Sequence, residues 1–535
     1  MRSLQRRRWV DTTLDYYRAP DDYRVRVTAL ANIEQLTDLY FVRPRSARLI
    51  WNYLSQVGPV GVWRKVASRL QERFRNEKYV SFGYGEVLEA PERGRFGLGE
   101  RVVFFAPGFP ACAERVVLPE HLIAGQEDVV EHPGEGNELL HLELSNELAP
   151  KESWWQLVRG YDRNSGRIIP ELAARGITEG LGQLAQKIDW TNAECRSIDP
   201  PSPIAEVHAR PTPVAPAGLK KAVLFGYGHY AKTNILPNVR SSIWVDTVHE
   251  VDPAQIPSDR GGIPLWDTAP SPRRGETYDV YLIASYHHTH APLAIEALRR
   301  GAYAVVEKPI AVDHAQLDAL IDAVQSADRG YFGCFHKRYS ALNDFALNDL
   351  RQPPGGAIDY HCIVYEVPLP DLHWYRWPNS KSRLVSNGCH WIDHFLYMNG
   401  FSEVASYRLE RSPSDVVNCS ITLENGAYFT MVLTDKGGER IGLQDYVEMR
   451  SGDVTVKIVN NASYVAEDCD RVIRRRRINK ILPYKQMYRT IAHRIANDEG
   501  GDTVQSIQVS TKLVLDLEDE LKRLSAEFWP LEERE

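Results

Sequence analysis

Glu307-Lys308-Pro309 directly follows Tyr303-Ala304-Val305-Val306, a run of residues suited to a buried strand. Lysine and glutamate both resist full burial unless paired. A lysine at the carboxyl end of a parallel strand points into the crevice where open α/β sheets hold ligands. An ammonium there can donate to a reacting oxygen. Further on, Gly388-Cys389-His390-Trp391-Ile392-Asp393 places a histidine and an aspartate one helical turn apart. Imidazole titrates near neutral pH and suits the removal of a hydroxyl proton. Each residue has a structural alternative: an ion pair with Glu307 for Lys308, and a hydrogen-bonded core position for His390.

The elements that must position these groups begin with Ala222-Val223-Leu224-Phe225, read as a buried strand, and the turn Gly226-Tyr227-Gly228-His229-Tyr230-Ala231. Gly226 allows a tight turn, Gly228 lets the backbone approach a pyrophosphate, and Ala231 lets helix and strand pack closely. The following helix would aim its N-terminal N–H groups at phosphate. A strand over 243–251 carries Glu250, 22 residues past Gly228, where an acid takes the ribose hydroxyls of NAD. NAD is therefore expected, with NADP as the alternative. The turn from Gly226 to Tyr230 and Glu250 form the expected cofactor site. A strand over 278–284 leads into a helix opened by Thr289 and closed by Gly301. A helix over 313–327 starts with Asp313 and Gln316 as a capping box, and 331–335 is the next strand.

From about residue 219 onward the chain resembles the Gfo/Idh/MocA oxidoreductases. The resemblance is carried by the turn at 226–231, the Ser285–His290 loop, Glu307-Lys308-Pro309, Gly333-Cys334-Phe335-His336-Lys337-Arg338-Tyr339-Ser340 and Gly388–Asp393. It implies a nicotinamide dinucleotide and a small sugar-like or cyclitol-like substrate, a nucleotide sugar included. By resemblance, Lys308 and His390 are the catalytic pair, Ser285, His287, His290 and Glu307 join Lys308 at the cofactor, and the loop lines the nicotinamide ribose. Asp393, Arg338 and Trp374 are expected at the substrate. One departure stands out: most members carry aspartate four residues before the histidine, where this chain has Ser386 followed by Asn387. Two other functions stay open, a lyase or glycosidase that uses NAD as an internal redox catalyst, and a binding or scaffold protein that kept the fold. The His287-His288-x-His290 cluster lacks a cysteine or acid at metal-ligand spacing, so no metal is expected.

The expected fold class is α/β, with a Rossmann-type doubly wound parallel sheet, then an α+β domain with a mostly antiparallel sheet, and a β-rich N-terminal domain. The 535 residues are too many for one core. Residues 1–198 read as the N-terminal domain, whose stretch 78–123 resembles a fragment of the GroES-like fold of medium-chain dehydrogenases without its zinc ligands, Cys112 standing alone. Six prolines make 199–218 a semi-rigid linker. The Rossmann domain then spans 219–340 and the α+β domain 341–535. Within the latter, runs at 406–409, 417–423, 427–434 and 446–450 alternate as strands, with Asn425-Gly426 as a hairpin turn. A net charge of −7 argues against nucleic acid, and no apolar run is long enough to cross a membrane. Seven cysteines without metal spacing suit a reducing, cytoplasmic setting. The expected partners are a small-molecule substrate and further copies of the chain, joined through the C-terminal sheet.

Overall fold

The computed structural model describes residues 2–5, 8–11, 14–34, 79–106, 114–125, 140–144, 216–256, 262–353, 355–368, 380–437 and 443–528, together with the single positions 54, 63 and 375. Cys112, Trp374, nearly all of 126–198 and most of the 199–218 linker lie outside the described residues. A hairpin of β1 (Arg2–Gln5) and β2 (Arg8–Asp11) comes first. The N-terminal sheet contains β3 (Asp22–Glu34), β4 (Tyr79–Glu89), β5 (Arg101–Ala106), β6 (Arg115–Pro119), β7 (Ile123–Gly125) and β8 (Leu140–Leu144). Its order is β6-β3-β4-β5-β7, with β8 parallel to β3. The strand period of two shows in β3, where Tyr23, Val25 and Val27 are buried and Arg24 and Arg26 face outward to Glu89 and Glu86.

The second sheet is wholly parallel. It consists of β9 (Lys220–Phe225), β10 (Ile243–His249), β11 (Leu265–Asp267), β12 (Val280–Ile283), β13 (Tyr303–Val306) and β14 (Tyr331–Gly333), ordered β11-β10-β9-β12-β13-β14. This is the doubly wound order whose direction reverses between β9 and β12, where such sheets open a ligand crevice. Strands β12 and β13 are buried along their whole length because helices cover both faces. The helix His290–Arg299 packs on one face, and His314–Ser326 beside it. Asp313 caps the latter by accepting from Gln316 N at 2.8 Å, while the Gln316 carbonyl takes the Val312 N–H instead of closing the box on Asp313.

The third sheet joins β15 (Asp359–Tyr365), β16 (Val404–Arg411), β17 (Val417–Leu423), β18 (Tyr428–Thr434), β19 (Gln444–Ser451), β20 (Val454–Val459), β21 (Ser463–Glu467) and β22 (Val472–Arg477). Its order is β16-β17-β18-β15-β19-β20-β21-β22, antiparallel except for the parallel β15–β18 pair. The expected hairpin turn is present, with Gly426 at φ +90°. Its inner face shares one apolar core with the Rossmann helices, filled by Trp391, Phe395, Phe429 and Met431 among others.

The chain beyond 340 does not stay with the third sheet. The helix Leu482–Ala496 covers the other face of the Rossmann sheet through Met487, Tyr488, Ile491 and Ile495. Gly501 then lies so close to β14 that an added Cβ would stand 2.1 Å from the Tyr331 carbonyl oxygen, and Asp502 accepts from Gly333 N at 2.8 Å. The last described helix, Val504–Phe528, packs on His314–Ser326 and on Cys389–Met398. The two C-terminal units are therefore laced together.

Candidate active site

Five strand ends meet the crevice: β9 at Gly226, β10 at Glu250, β12 at Ser285, β13 at Glu307-Lys308 and β14 before His336. Gly226 has φ +87°, and a Cβ there would lie 2.4 Å from the Ala284 carbonyl oxygen, so only glycine fits. A Cβ at Gly228 would meet nothing within 4 Å. Gly228 and His229 are exposed where a helical segment over 229–239 begins, and this leaves backbone room for a pyrophosphate. Glu250 accepts from Tyr227 N at 2.7 Å through one carboxylate oxygen and from Asp252 N at 3.0 Å through the other. Tyr227 itself is buried, edge-on to Trp266 at 4.7 Å, and Tyr230 leans on Tyr484 and Tyr488, both with ring centroids 6.3 Å away. Tyr227 and Tyr230 shape this cradle by packing, and the residues present fit a dinucleotide.

The Ser285–His290 loop departs from expectation. The Ser285 hydroxyl is tied to Thr289 Oγ1 at 2.6 Å. Both ring nitrogens of His290 face carbonyl oxygens, Pro309 at 2.8 Å and Ser285 at 3.0 Å. Burial pushes the His290 pKa down to about 4. The neutral ring therefore donates to only one of the two. His290 thus buttresses the loop against the 308–309 strand end and has no ring nitrogen left for a cofactor. His287 is buried too, its Nδ1 3.1 Å from Ser380 O and its ring 5.0 Å from that of Tyr375. Among the described residues no cluster of histidine, cysteine or acid is arranged to hold a metal.

Lys308 reaches across to the third-sheet domain. Its Nζ donates to the Ser386 carbonyl oxygen at 2.6 Å and to Asn387 Oδ1 at 3.1 Å. Burial works against its charge, but Tyr375, Cys389, Glu307 and Glu366 outweigh that and hold the ammonium above lysine's usual range. Glu307 does not form the ion pair considered for it: one carboxylate oxygen takes the Tyr488 hydroxyl, and the other takes the backbone N–H of Lys308 at 3.3 Å. His390 sits on the helix Cys389–Met398, which a π-turn, Leu384–Gly388, leads into. Burial, with His336, Lys308 and Lys337 nearby, pushes its pKa well below the ordinary histidine value, so the ring is neutral. Its Nδ1 is buried without a hydrogen-bond partner. His336 lies edge-to-face with it at 4.4 Å and is stacked on Tyr484 at 3.8 Å.

Two expected substrate contacts are spent elsewhere. Arg338 binds Asp393 through both carboxylate oxygens, at 2.5 and 2.9 Å, and also meets Asp502 at 3.3 Å. Asp393 is fully buried and takes the Ser510 hydroxyl as well. This network locks the β14 turn to two helices and offers nothing to a substrate. Trp374 is outside the described residues. Sequence reasoning passed over His336, Glu366, Asn387, Tyr484 and Tyr488. Glu366 carried the same signal as Glu307, an acid straight after the apolar strand β15, and Tyr484 and Tyr488 stand one helical turn apart.

Comparison with known proteins finds likeness in the Rossmann segment. Residues 220–333 match the family model GFO_IDH_MocA, described as an oxidoreductase family with an NAD-binding Rossmann fold. A dehydrogenase from Chromobacterium violaceum is 16% identical, covering 58% of this chain and 99% of its own, with a TM-score of 0.49. Levoglucosan dehydrogenase, solved with NADH and L-sorbose, is 18% identical over 58% of this chain and 97% of its own, at 0.46. The WlbA dehydrogenase, also from Chromobacterium violaceum and solved with NADH and UDP-GlcNAcA, is 14% identical over 59% and 97%, at 0.47. The family match falls on the glycine turn, the parallel sheet and the Glu307-Lys308-Pro309 strand end, so residues 220–333 are similar to the NAD-binding Rossmann fold of the Gfo/Idh/MocA oxidoreductase family.

Proposed function

We propose that the chain moves a hydride between a nicotinamide dinucleotide and a hydroxyl or ketone carbon of a sugar-like or cyclitol-like substrate. What carries this is the hydrogen bonding of Lys308 to the π-turn that leads into the His390 helix, with the lysine held charged and the histidine neutral. When bound, the nicotinamide supplies the hydride acceptor. Lys308 donates a hydrogen bond to the substrate oxygen and stabilises negative charge as it develops there. His390, neutral, accepts the hydroxyl proton; the tautomer that does so at Nε2 carries its own proton on the buried Nδ1. The test is to incubate the protein with NAD and a panel of cyclitols, aldoses and their nucleotide derivatives, following NADH. Substrate-dependent NADH formation is expected. Substrate turnover with retained NAD and no net absorbance change would instead establish the internal-redox lyase, and absence of any turnover with NAD bound would establish a binding protein.

The chain is further read as a homo-oligomer through the outer face of the third sheet. On that face Ile363 pairs in register with Tyr446 and Val432, and Ile363, Tyr428 and Tyr446 are exposed. An apolar patch on an otherwise polar sheet face suits a second copy of itself. Ile363→Glu should halve the assembly's mass in sedimentation; an unchanged mass would remove this reading. Among the described residues no helix is long and apolar enough to cross a membrane. Four buried free thiols, Cys334, Cys362, Cys389 and Cys419, support a cytoplasmic setting.

A further inference from the structure

We propose that Glu366 is a positioning residue for Lys308, acting through the side-chain amide of Asn387. The three groups come from three different elements. Lys308 follows β13 of the Rossmann sheet, Asn387 lies in the π-turn before the His390 helix, and Glu366 directly follows β15 of the third sheet. Lys308 Nζ donates to Asn387 Oδ1 at 3.1 Å, and Asn387 Nδ2 donates to Glu366 Oε1. An amide has two ends of nearly equal shape, and only its oxygen end is useful to an ammonium. A carboxylate can only accept, so Glu366 fixes which end of Asn387 faces Lys308. It does so from a buried position, within 4.0 Å of the Arg383 guanidinium.

The same chain resolves what Ser386 leaves open. Ser386 presents only its backbone carbonyl to Lys308, at 2.6 Å, and brings no charge. Glu366 supplies a carboxylate to the ammonium, one amide removed. The inference rests on the reading of Lys308 as the hydrogen-bond donor of the site. The groups that bear on the Lys308 charge are Tyr375, Cys389, Glu307 and Glu366, together with His287, His290, His336 and His390, whose charged forms it opposes. Those that bear on Glu366 are Arg383, Asn387, Lys308 and Asp435.

The test titrates Lys308 in the full chain without any substrate, so it stands apart from whether turnover is found. Trace acetylation by acetic anhydride across a pH series, read at the Lys308 peptide by mass spectrometry, reports the free-amine fraction. Glu366→Gln keeps the shape but lets the partner donate as well as accept, so the Asn387 amide loses its fixed direction. The pH of half-maximal labelling should fall by roughly one unit. Asn387→Asp should raise it, and Glu366→Gln with Asn387→Asp, which moves the carboxylate next to Lys308, should return it to or above the starting value. A purely structural role for Glu366 would leave the pH of half-maximal labelling unchanged in Glu366→Gln. If Glu366→Gln loses its fold, Asn387→Ala must produce the fall instead. Labelling at an unchanged pH in Glu366→Gln, or in Asn387→Ala in its place, overturns the proposal, as does a double variant that stays low.

Discussion

Lys308 and His390, proposed to serve one proton, sit in opposite electrostatic situations, one held charged and the other held neutral. Groups that act mainly where charge develops affect turnover more than ground-state binding. Lys308→Ala and His390→Ala should each lower turnover by roughly 10²–10⁴-fold with little change in NAD affinity. Both serve one step, so the double variant should lose less than the two free-energy losses added together. Lys308→Ala should be the more damaging change, because Lys308 has defined partners whereas the His390 Nδ1 has none. Near-normal turnover in both single variants would undo the assignment. Glu250 carries a separate expectation at this scale. An acid at the end of this second strand is expected to repel a 2′-phosphate, so NAD should bind more tightly than NADP. Because Glu250 also braces Tyr227 N, Glu250→Ala should weaken NAD binding while narrowing the preference. Calorimetric titration with both cofactors decides it, and tighter binding of NADP by the unaltered protein would refute the claim.

The turn His336–Tyr339 shows how one short element is held for chemistry. Lys337 pairs with Asp445 at 2.7 Å with both side chains buried, and Trp391 Nε1 donates to the same carboxylate at 3.0 Å. Burial alone would raise the Asp445 pKa, but Lys337 and its hydrogen bond outweigh this and hold it below the usual carboxylate value. A depressed folded value means stability that is present above the unfolded pKa and lost as pH falls through the folded one. Lys337→Met strands that carboxylate and should cost about 3–5 kcal/mol at neutral pH, read by denaturant unfolding. Lys337→Met with Asp445→Asn should recover part of the loss; a double variant no more stable than the single would contradict this account. The same turn shows what sequence can and cannot give. Gly226 was legible because its constraint is local: a tight turn between one strand and one helix. Strands β16 to β19 were legible because alternation and Asn425-Gly426 are local as well. Arg338 and Asp393, expected at the substrate, pair with each other, a difference the sequence does not carry because a polar pair inside a motif looks the same in either role. Glu366, Tyr484 and Tyr488 were missed because what makes them matter is contact with residues distant in the chain: Asn387 for Glu366, His336 for Tyr484 and Glu307 for Tyr488.

At the scale of the whole molecule, the seam between the Rossmann sheet and the third sheet is lined by histidines that burial keeps uncharged. His287, His336 and His390 are pushed well below the ordinary value, His290 to about 4 and His394 to about 3. His394 shows how a neutral ring is satisfied there: Nδ1 meets the Tyr360 hydroxyl at 2.9 Å and Nε2 meets Asn343 Oδ1 at 3.0 Å, one accepting and one donating. In the unfolded chain all five would take up protons near their ordinary pKa of about 6.5. Below that pH the unfolded state binds more protons than the folded one, so stability falls as pH falls, and it keeps falling until the folded values are reached. Each histidine contributes up to about 1.4 kcal/mol per pH unit in that window. Carboxylates with depressed values, such as Asp445, add their loss only at lower pH. Melting temperature should therefore hold steady above about pH 7 and decline steeply between about pH 6 and pH 4. His394→Gln, which can still accept from Tyr360 and donate to Asn343, should make that decline shallower even if it lowers the plateau. A melting temperature unchanged down to about pH 5 would mean that these rings are not held neutral by the fold.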